Sequence, residues 1–425
     1  MTDITYEQAE SLRKAKKYNE ATEAFRSLWT NNPKQDVGWR YAHCLRKTGE
    51  FAQAEIIANE AIEQFPDNKW AKNELIWTLY DKELKPAKVD GDLERAIRFG
   101  KQTLSLNPEG LSLHKISLLV MKVAKSKSRW DIILEWADLL LNDKPSTQAR
   151  FFNGKKGFSD SEIWYVARAK ALYELGMYSE ARTFTQKGLI THPKEVYLER
   201  TSALSLAKTG QLDEAIVEFK EILRNPKAGW YFKADLAELE RQAGNTEKAY
   251  QLVCQSLIAS RQGNEFKLGA FYTLAEIALD LEKVEIAAAH VKLSKNIRET
   301  KGWKLDDNLI LLAGKIQTLS TEKNVQLSLP EKTYELTKLC EQSWQDAATS
   351  DEQRIHGTIS FYSREKPFAF ISPDDGGEDV YSSAKDIPSR CKKSGARVDF
   401  MREKSFDRKK NKNSFKASYI RCMDE

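Results

Sequence analysis

The sequence predicts a mainly α-helical protein in which an array of paired helices is followed by one small β-barrel. Helical periodicity with a repeat of about 34 residues covers the first three quarters of the chain. Short alternating segments between Gly- and Asp-rich turns follow from residue 354 onward and indicate strands. Residues 385–421 hold thirteen Lys and Arg but four acidic residues, although the whole chain of 425 residues carries only +5. The C-terminal part therefore differs from the rest in both periodicity and charge.

An alanine at the same position of successive helix pairs marks the repeat. The spacing is 33 residues between Ala21 and Ala54, and 34 residues from Ala181 to Ala215 and from Ala215 to Ala249. Small side chains at such positions let two helices approach each other closely. A second small residue precedes each of these alanines by twelve positions, and these residues are Ala9, Ala42, Ala169, Ala203 and Ala237.

Glycines mark the turn inside several of the pairs. A glycine at this point can end the first helix in the left-handed conformation that other residues avoid. The turn glycines are Gly49, Gly176, Gly210 and Gly244. We therefore expect positive φ angles at all four.

A helix–turn–helix unit of about 34 residues resembles the tetratricopeptide repeat (TPR). The resemblance covers about residues 3–301 in eight units and is interrupted near 85–92 and 150–161. It implies an α-solenoid whose groove binds a protein or peptide partner, without catalysis. The predicted domains are a TPR-like solenoid at 1–320, a connecting segment at 321–350 with a helix at 331–347, and a barrel at 351–425.

Five short strands are predicted in the C-terminal part, a number that suits a small closed barrel. They span about 355–362, 367–372, 379–383, 396–402 and 414–421. Phe368 and Phe370 stand two residues apart, so both project from one face of a strand, with Lys366 close by. Aromatic rings on one sheet face can stack unpaired bases, while a nearby cation contacts phosphates.

Three motifs in this part resemble the cold-shock domain, an OB-fold barrel that binds single-stranded RNA or DNA. They read G-T-I-S-F-Y-S at 357–363, K-P-F-A-F-I at 366–371 and P-D-D-G-G-E-D-V at 373–380. The resemblance implies a phosphate contact for one lysine and stacking roles for four aromatic residues. These residues are Lys366, Phe361, Phe368, Phe370 and Tyr381.

The chain departs from the cold-shock pattern at four positions. Pro367 and Ala369 replace glycines, Ser383 stands at the position of a stacking histidine, and Ala384 replaces the usual phenylalanine. Each stacked base contributes about 1–3 kcal/mol, so we expect weak and sequence-tolerant binding.

A basic loop between the last two predicted strands offers further contacts to phosphates. It contains Arg408, Lys409, Lys410 and Lys412. Contacts of this kind weaken as the salt concentration rises, because they depend on the release of counterions.

No constellation in the sequence predicts an enzyme, a cofactor or a bound metal. The five histidines are scattered, and neither a phosphate-binding loop nor a nucleophile elbow is present. The five cysteines are odd in number and widely spaced, which disfavours a disulfide framework or a zinc site and suits a reducing cytoplasm. The N-terminus does not resemble a signal peptide, and no apolar run is long enough for a bilayer, so no membrane partner is expected.

Two functions are compatible with these patterns. The first is a non-enzymatic adaptor that binds single-stranded nucleic acid, with RNA the expected form, through the barrel and a protein through the TPR groove. The second is a pure interaction scaffold or a peptide-responsive regulator whose barrel no longer binds nucleic acid. Binding of unstructured RNA distinguishes the two.

Overall fold

A computed structural model describes residues 5–225, 227–348, 354–407 and 412–423 of the chain. The chain divides into two compact units, Met1–Gln211 and Leu212–Glu425. The first unit consists of helices and one short β-hairpin, and the second combines helices with a closed five-stranded barrel. The predicted fold class is thereby confirmed. The predicted domain boundaries remain a proposal.

Helices pack against their neighbours along the chain throughout the first unit. Its helices are α1 (Tyr6–Lys14), α2 (Tyr18–Asn31), α3 (Gln35–Thr48), α4 (Phe51–Gln64), α5 (Lys69–Leu79), α6 (Lys85–Asp90), α7 (Leu93–Leu104), α8 (Leu111–Ser126), α9 (Trp130–Asp138), α10 (Asp160–Glu174), α11 (Tyr178–Thr191) and α12 (Val196–Lys208).

Both predicted interruptions of the repeat have secondary structure of their own. Near 85–92, a π-helical turn at Tyr80–Leu84 continues into α6, which ends at the left-handed Gly91. Near 150–161, β1 (Phe151–Phe152) and β2 (Lys155–Lys156) form a hairpin. The two turn residues of the hairpin, Asn153 and Gly154, have φ angles of 49° and 74°. An Asn-Gly pair favours this turn because both positions need positive φ.

The second unit begins with further helices of the same kind. They are α13 (Leu212–Ile222), α14 (Phe232–Gln242), α15 (Thr246–Ala259), α16 (Leu268–Asp280), α17 (Val284–Thr300), α18 (Asp307–Glu322) and α19 (Thr333–Ala348). The last helix packs against α15 and α17 and buries Leu336, Cys340 and Trp344 among them.

The alanines of the repeat occupy closely packed positions, as the spacing predicts. All ten that define the repeat in the sequence are fully buried, with 0% of their surface exposed. The four turn glycines have φ angles between 78° and 89°, which confirms their role in ending the first helix of a pair.

The barrel closes in the order β3-β4-β5-β7-β6, with β5 and β7 parallel and the other neighbours antiparallel. Its interior is filled by Ile359, Ile371, Val398 and Phe400. The last two strands extend beyond their predicted ends because they pair with each other over most of their length. The strands are β3 (Ile355–Tyr362), β4 (Phe368–Pro373), β5 (Val380–Ser383), β6 (Arg397–Asp407) and β7 (Lys412–Cys422).

Strand β7 connects the barrel to the helices of the second unit. Tyr419, which has a φ of 50°, packs its side chain against the helical core. Positive φ is rare for such a bulky residue, so the surrounding contacts must hold this conformation. Arg421 donates a hydrogen bond to the carbonyl of Gln345 and lies 3.4 Å from Asp346 at the end of α19.

Two cysteines lie closer together than their spacing in the sequence suggests. The sulfur atoms of Cys391 and Cys422 are within bonding distance, and their Cα atoms are 5.9 Å apart. The wide spacing of the cysteines disfavours a disulfide framework, and this one pair departs from that expectation. Strand β7 returns to the loop before β6, a long-range pairing that cysteine spacing does not reveal. Cys44, Cys254 and Cys340 are buried and free.

A histidine is buried without charge in the second unit. Trp344 Nε1 donates to His290 Nε2 over 2.6 Å, and His290 Nδ1 donates to the carbonyl of Ile286 over 2.7 Å. Burial in this apolar site lowers the pKa of His290 from 6.5 to about 4.

Replacing Gly188 by alanine should destabilise α11. An added Cβ would lie 2.8 Å from Leu198 Cδ1 and 2.9 Å from Tyr165 Cδ1. We expect a loss of about 1–2 kcal/mol, because overpacking outweighs the better helix propensity of alanine. Amide hydrogen exchange in α11 measures this loss of stability. The control Gly314→Ala, in α18, places its Cβ in open space and should stabilise that helix. Equal effects of the two changes would contradict the packing.

The second unit should lose stability as the pH falls below the ordinary pKa of histidine. Because the folded pKa of His290 is depressed, the unfolded chain binds a proton more readily between about pH 6.5 and pH 4. We expect this group to lower the free energy of unfolding by about 2 kcal/mol from pH 7 to pH 5. His290→Gln should remove that part of the dependence in denaturant titrations. An unchanged pH profile in the variant would refute the assignment.

Candidate nucleic-acid interface

Four aromatic side chains form one cluster on the outside of the barrel, which we call the aromatic face. The ring centroids of Phe361 and Phe368 are 5.9 Å apart, and those of Phe368 and Phe370 are 5.7 Å apart. Tyr381 lies 6.3 Å from both Phe368 and Phe370 and is 44% exposed. The three phenylalanines are half-buried. The rings of the aromatic face therefore pack against one another and still expose part of their surface to solvent.

A β-bulge brings Phe361 to this face. Strict alternation along β3 would place Phe361 on the same side as Ile359, which is fully buried in the barrel interior. The register shifts between these two residues, so that Phe361 pairs with Phe370 of β4. Tyr362 packs against the interior instead. The extra residue, Ser360, therefore reverses which ring faces outward.

Strand β4 has regular alternation without a bulge in its central residues. Phe368 and Phe370 are half-buried and project outward, whereas Ala369 and Ile371 between and beyond them are fully buried. Ala369 fills a position where a larger side chain would have to fit inside the barrel. Its replacement of glycine is thus compatible with the packed interior.

The ammonium group of Lys366 lies over the edge of the aromatic face. Its Nζ atom is 5.2 Å from the ring centroid of Phe361 and 5.8 Å from that of Phe368. A cation at this distance is attracted to the ring faces. The lysine is exposed, so its charge remains accessible to an anion beside the rings.

Strand pairing shows where the departures from the cold-shock pattern lie. Ser383 is the direct partner of Phe368, just as Tyr381 is the partner of Phe370. A side chain at position 383 therefore stands next to Phe368 on the aromatic face. Ala384 and Pro367 are joined by a backbone hydrogen bond of 3.0 Å at the same edge. The missing rings leave one end of the face without aromatic surface.

Ion pairs and hydrogen bonds hold the turn that follows β4. Asp379 accepts hydrogen bonds from Ser360 Oγ at 2.8 Å and from Ser372 Oγ at 2.5 Å. Arg397 pairs with Asp374 and Arg402 with Asp375, and these contacts lower the pKa of both carboxyl groups. Two of the basic residues counted in the sequence are therefore partly neutralised within the barrel.

The structure describes only part of the predicted basic loop. Arg408, Lys409 and Lys410 lie outside the described residues, and the backbone of Lys412 begins β7. A further cation was missed in the sequence. Lys416 is paired with Tyr381 across the parallel β5–β7 contact, so it stands at the border of the aromatic face, 2.6 Å from Glu403. A pairing between strands so distant in sequence has no local signal.

Within residues 5–225, 227–348, 354–407 and 412–423, no cluster of three or more His, Cys, Asp or Glu side chains could hold a metal ion. In the same ranges, no helix has the length and apolar character required to cross a membrane.

Two segments of the helical part match models of protein families. Residues 12–79 match the model of a tetratricopeptide repeat, and residues 196–328 match that of a domain of unknown function (DUF7017). The chain contains tetratricopeptide repeats and ends in a five-stranded barrel that is similar to cold shock proteins. The barrel is related to the cold shock protein CapA of Pseudomonas fragi, with 40% identity over 55 residues that cover 12% of this chain and 86% of CapA.

The helical part is also similar to known sequences and structures. The TPR repeat-containing protein MJ1428 of Methanocaldococcus jannaschii is 26% identical over 187 residues, which cover 42% of this chain. The matched region spans 29% of the length of that relative. The crystal structure of YrrB, described as a TPR protein with an unusual peptide-binding site, covers 53% of this chain with 13% identity and a TM-score of 0.33. The matched region spans 99% of YrrB.

Proposed function

We propose that this protein is a non-enzymatic adaptor that binds single-stranded nucleic acid through its barrel and a protein partner through its TPR repeats. The observation that carries the proposal is the aromatic face with Lys366 at its edge. The binding residues on the barrel are Phe361, Lys366, Phe368, Phe370 and Tyr381, supplemented by Arg408, Lys409, Lys410 and Lys412. The proposed division of labour is 1–320 for the protein partner and 351–425 for nucleic acid, joined by 321–350.

The chemistry of the aromatic face suits unpaired bases better than a duplex. Every base has a flat surface that can stack on a ring, whereas bases inside a duplex expose only their edges. The cation beside Phe361 and Phe368 would lie near the phosphate between two stacked bases. The cold-shock domain, which the barrel resembles, binds single-stranded RNA as well as DNA. RNA is the expected form here, because the cytoplasm is the expected location of the protein.

The face is also expected to bind weakly. Ser383 and Ala384 leave one end without rings, and each missing stack costs about 1–3 kcal/mol. The protein partner would then hold the molecule near its nucleic acid, because linking two weak interactions raises the effective concentration for the second. This argument favours an adaptor over a barrel that acts alone.

The double change Phe368→Ala/Phe370→Ala should abolish binding of a single-stranded oligonucleotide. Two stacking surfaces are lost, so we expect the Kd to rise about a hundredfold or more. Filter binding at two salt concentrations measures it, and a falling affinity with salt would show that cations take part.

The matched control is Phe415→Ala. Phe415 is an exposed barrel phenylalanine, 50% accessible, on β7 outside the aromatic cluster. Its removal should leave binding unchanged. Two results would contradict the proposal: the parent chain binds neither RNA nor DNA, or both variants bind alike. The barrel would then not bind nucleic acid through the aromatic face, and the protein would be an interaction scaffold or a peptide-responsive regulator.

Restoring a ring at position 383 should strengthen binding. Ser383→His would add a stacking surface beside Phe368, its direct partner in β4. We expect a gain of about 1–3 kcal/mol, which is roughly a fivefold to hundredfold lower Kd, measured with the same oligonucleotide. Ser389→His, at an exposed site in the loop between β5 and β6, provides a control for the added imidazole. An equal effect at both positions would argue against stacking at 383.

A further inference from the structure

A groove of about 570 Å³ lies between α8 and α10 in the first unit. Its floor is aliphatic and is formed by Leu118, Leu119 and Met121 of α8 together with Val166 and Ala167 of α10. A concave site of this size with an apolar floor is typical of ligand-binding clefts.

Cations line the edge of this groove. Lys115, Lys122 and Lys125 come from α8, Lys88 from α6, and Arg150 from the residue before β1. The three lysines of α8 are seven and three residues apart, which is about two turns and one turn of the helix, so they lie on the same helical face as the apolar floor. Five positive groups therefore surround one apolar surface.

Most of this positive charge is not neutralised by the protein. Glu162 is the one carboxylate among the groove-lining residues, and its side chain caps the start of α10. Lys115 and Arg150 share Asp160 as an ion-pair partner. Burial and the nearby Arg150 lower the pKa of Lys115, as expected where cations crowd together.

Three of the lysines have no carboxylate partner in the part of the chain that the structure describes. Lys88, Lys122 and Lys125 are exposed and take part in no ion pair among these residues. Elsewhere in the unit, Arg46 contacts both Glu74 and Asp81. The groove thus keeps a surplus of accessible positive charge.

The two interruptions of the TPR pattern both contribute to this groove. The first supplies Tyr80, on the π-helical turn, and Lys88. The second supplies Arg150 and Phe158, on either side of the β1–β2 hairpin. Insertions into repeat proteins often supply the binding face, and π-helical turns are frequent at functional sites. Their convergence on one groove is difficult to explain by packing alone.

We propose that this groove binds an acidic peptide segment of a partner protein, with at least one aliphatic or aromatic side chain on the groove floor. The partner's carboxylates would contact Lys88, Lys122 and Lys125. This inference rests on the protein-binding half of the proposed function and specifies the chemistry of that partner.

The shape of the groove favours a peptide over a nucleic acid. Its floor is aliphatic, whereas bases need flat rings for stacking. Phe158 and Tyr197 pack edge to face, with centroids 6.3 Å apart at 65°, so they offer no parallel platform. Glu162 can accept a hydrogen bond from a peptide N–H group.

The test uses the full chain and fluorescein-labelled peptides of about twelve residues. The peptides are amidated, so that side chains rather than a terminal carboxylate are recognised. One mixed set is rich in Asp and Glu with Leu, Phe or Trp at its centre, a second lacks the apolar residue, and a third is basic. Fluorescence anisotropy should show binding of the first set in preference to the other two. Binding of the basic set, or no preference for the acidic apolar set, would overturn the proposal.

Charge reversal locates the binding site. Lys122→Glu/Lys125→Glu changes two exposed lysines on α8 and should weaken acidic-peptide binding at least tenfold. The matched control is Lys187→Glu/Lys208→Glu, which reverses two exposed helical lysines of the same unit that do not line the groove. Equal loss in both double variants, or no loss in the first, would contradict the assignment.

A nucleic-acid arm distinguishes the alternative occupant. In the Phe368→Ala/Phe370→Ala background, a single-stranded RNA should fail to displace the acidic peptide. If RNA displaces the peptide, and if this competition is lost with Lys122→Glu/Lys125→Glu, the groove is a second nucleic-acid site and the proposal is wrong. Failure of the barrel to bind RNA leaves the peptide result unaffected, so the two proposals fail independently.

Discussion

Close packing of small side chains between successive helices is the constraint on which the helical part of the molecule depends. The repeat alanines are all fully buried, and glycines such as Gly38 and Gly188 leave space for aromatic rings where a Cβ would lie less than 3 Å from its neighbours. Small residues at these positions let neighbouring helices approach closely. Because one repeat cannot bury its apolar face by itself, the packing must continue from pair to pair.

The same constraint explains where functional surfaces can arise. The positions that hold the helices together are occupied by buried small residues, so accessible side chains come from the outer faces of the helices, from the interruptions of the repeat and from the barrel. The π-helical turn at Tyr80–Leu84 and the β1–β2 hairpin both add residues to one groove. The barrel adds a surface of a different kind, in which rings rather than aliphatic side chains are exposed. The two surfaces therefore suit ligands of different chemistry.

Within the barrel, a single extra residue determines the composition of the aromatic face. Without the bulge at Ser360, Phe361 would point into the interior with Ile359, and Tyr362 would point outward. The bulged residue also donates to Asp379, which ties it to the turn after β4. With Phe361 on the outer face, the ammonium group of Lys366 lies over two rings, those of Phe361 and Phe368. Local backbone geometry thus assembles residues that sequence spacing alone does not place together.

From the sequence alone, the helical repeat, its turn glycines, the five strands and the shared face of Phe368 and Phe370 could be predicted, because each depends on periodicity within a few residues. Strict alternation would have placed Phe361 inside the barrel, whereas the resemblance to the cold-shock domain assigns it to the stacking face. The tertiary structure adds the physical reason, which is the bulge at Ser360. Only the tertiary structure places Lys416 beside Tyr381. The same holds for Cys391 beside Cys422 and for the groove between α8 and α10. These contacts join residues from distant segments, and their geometry depends on how whole elements pack rather than on any local pattern.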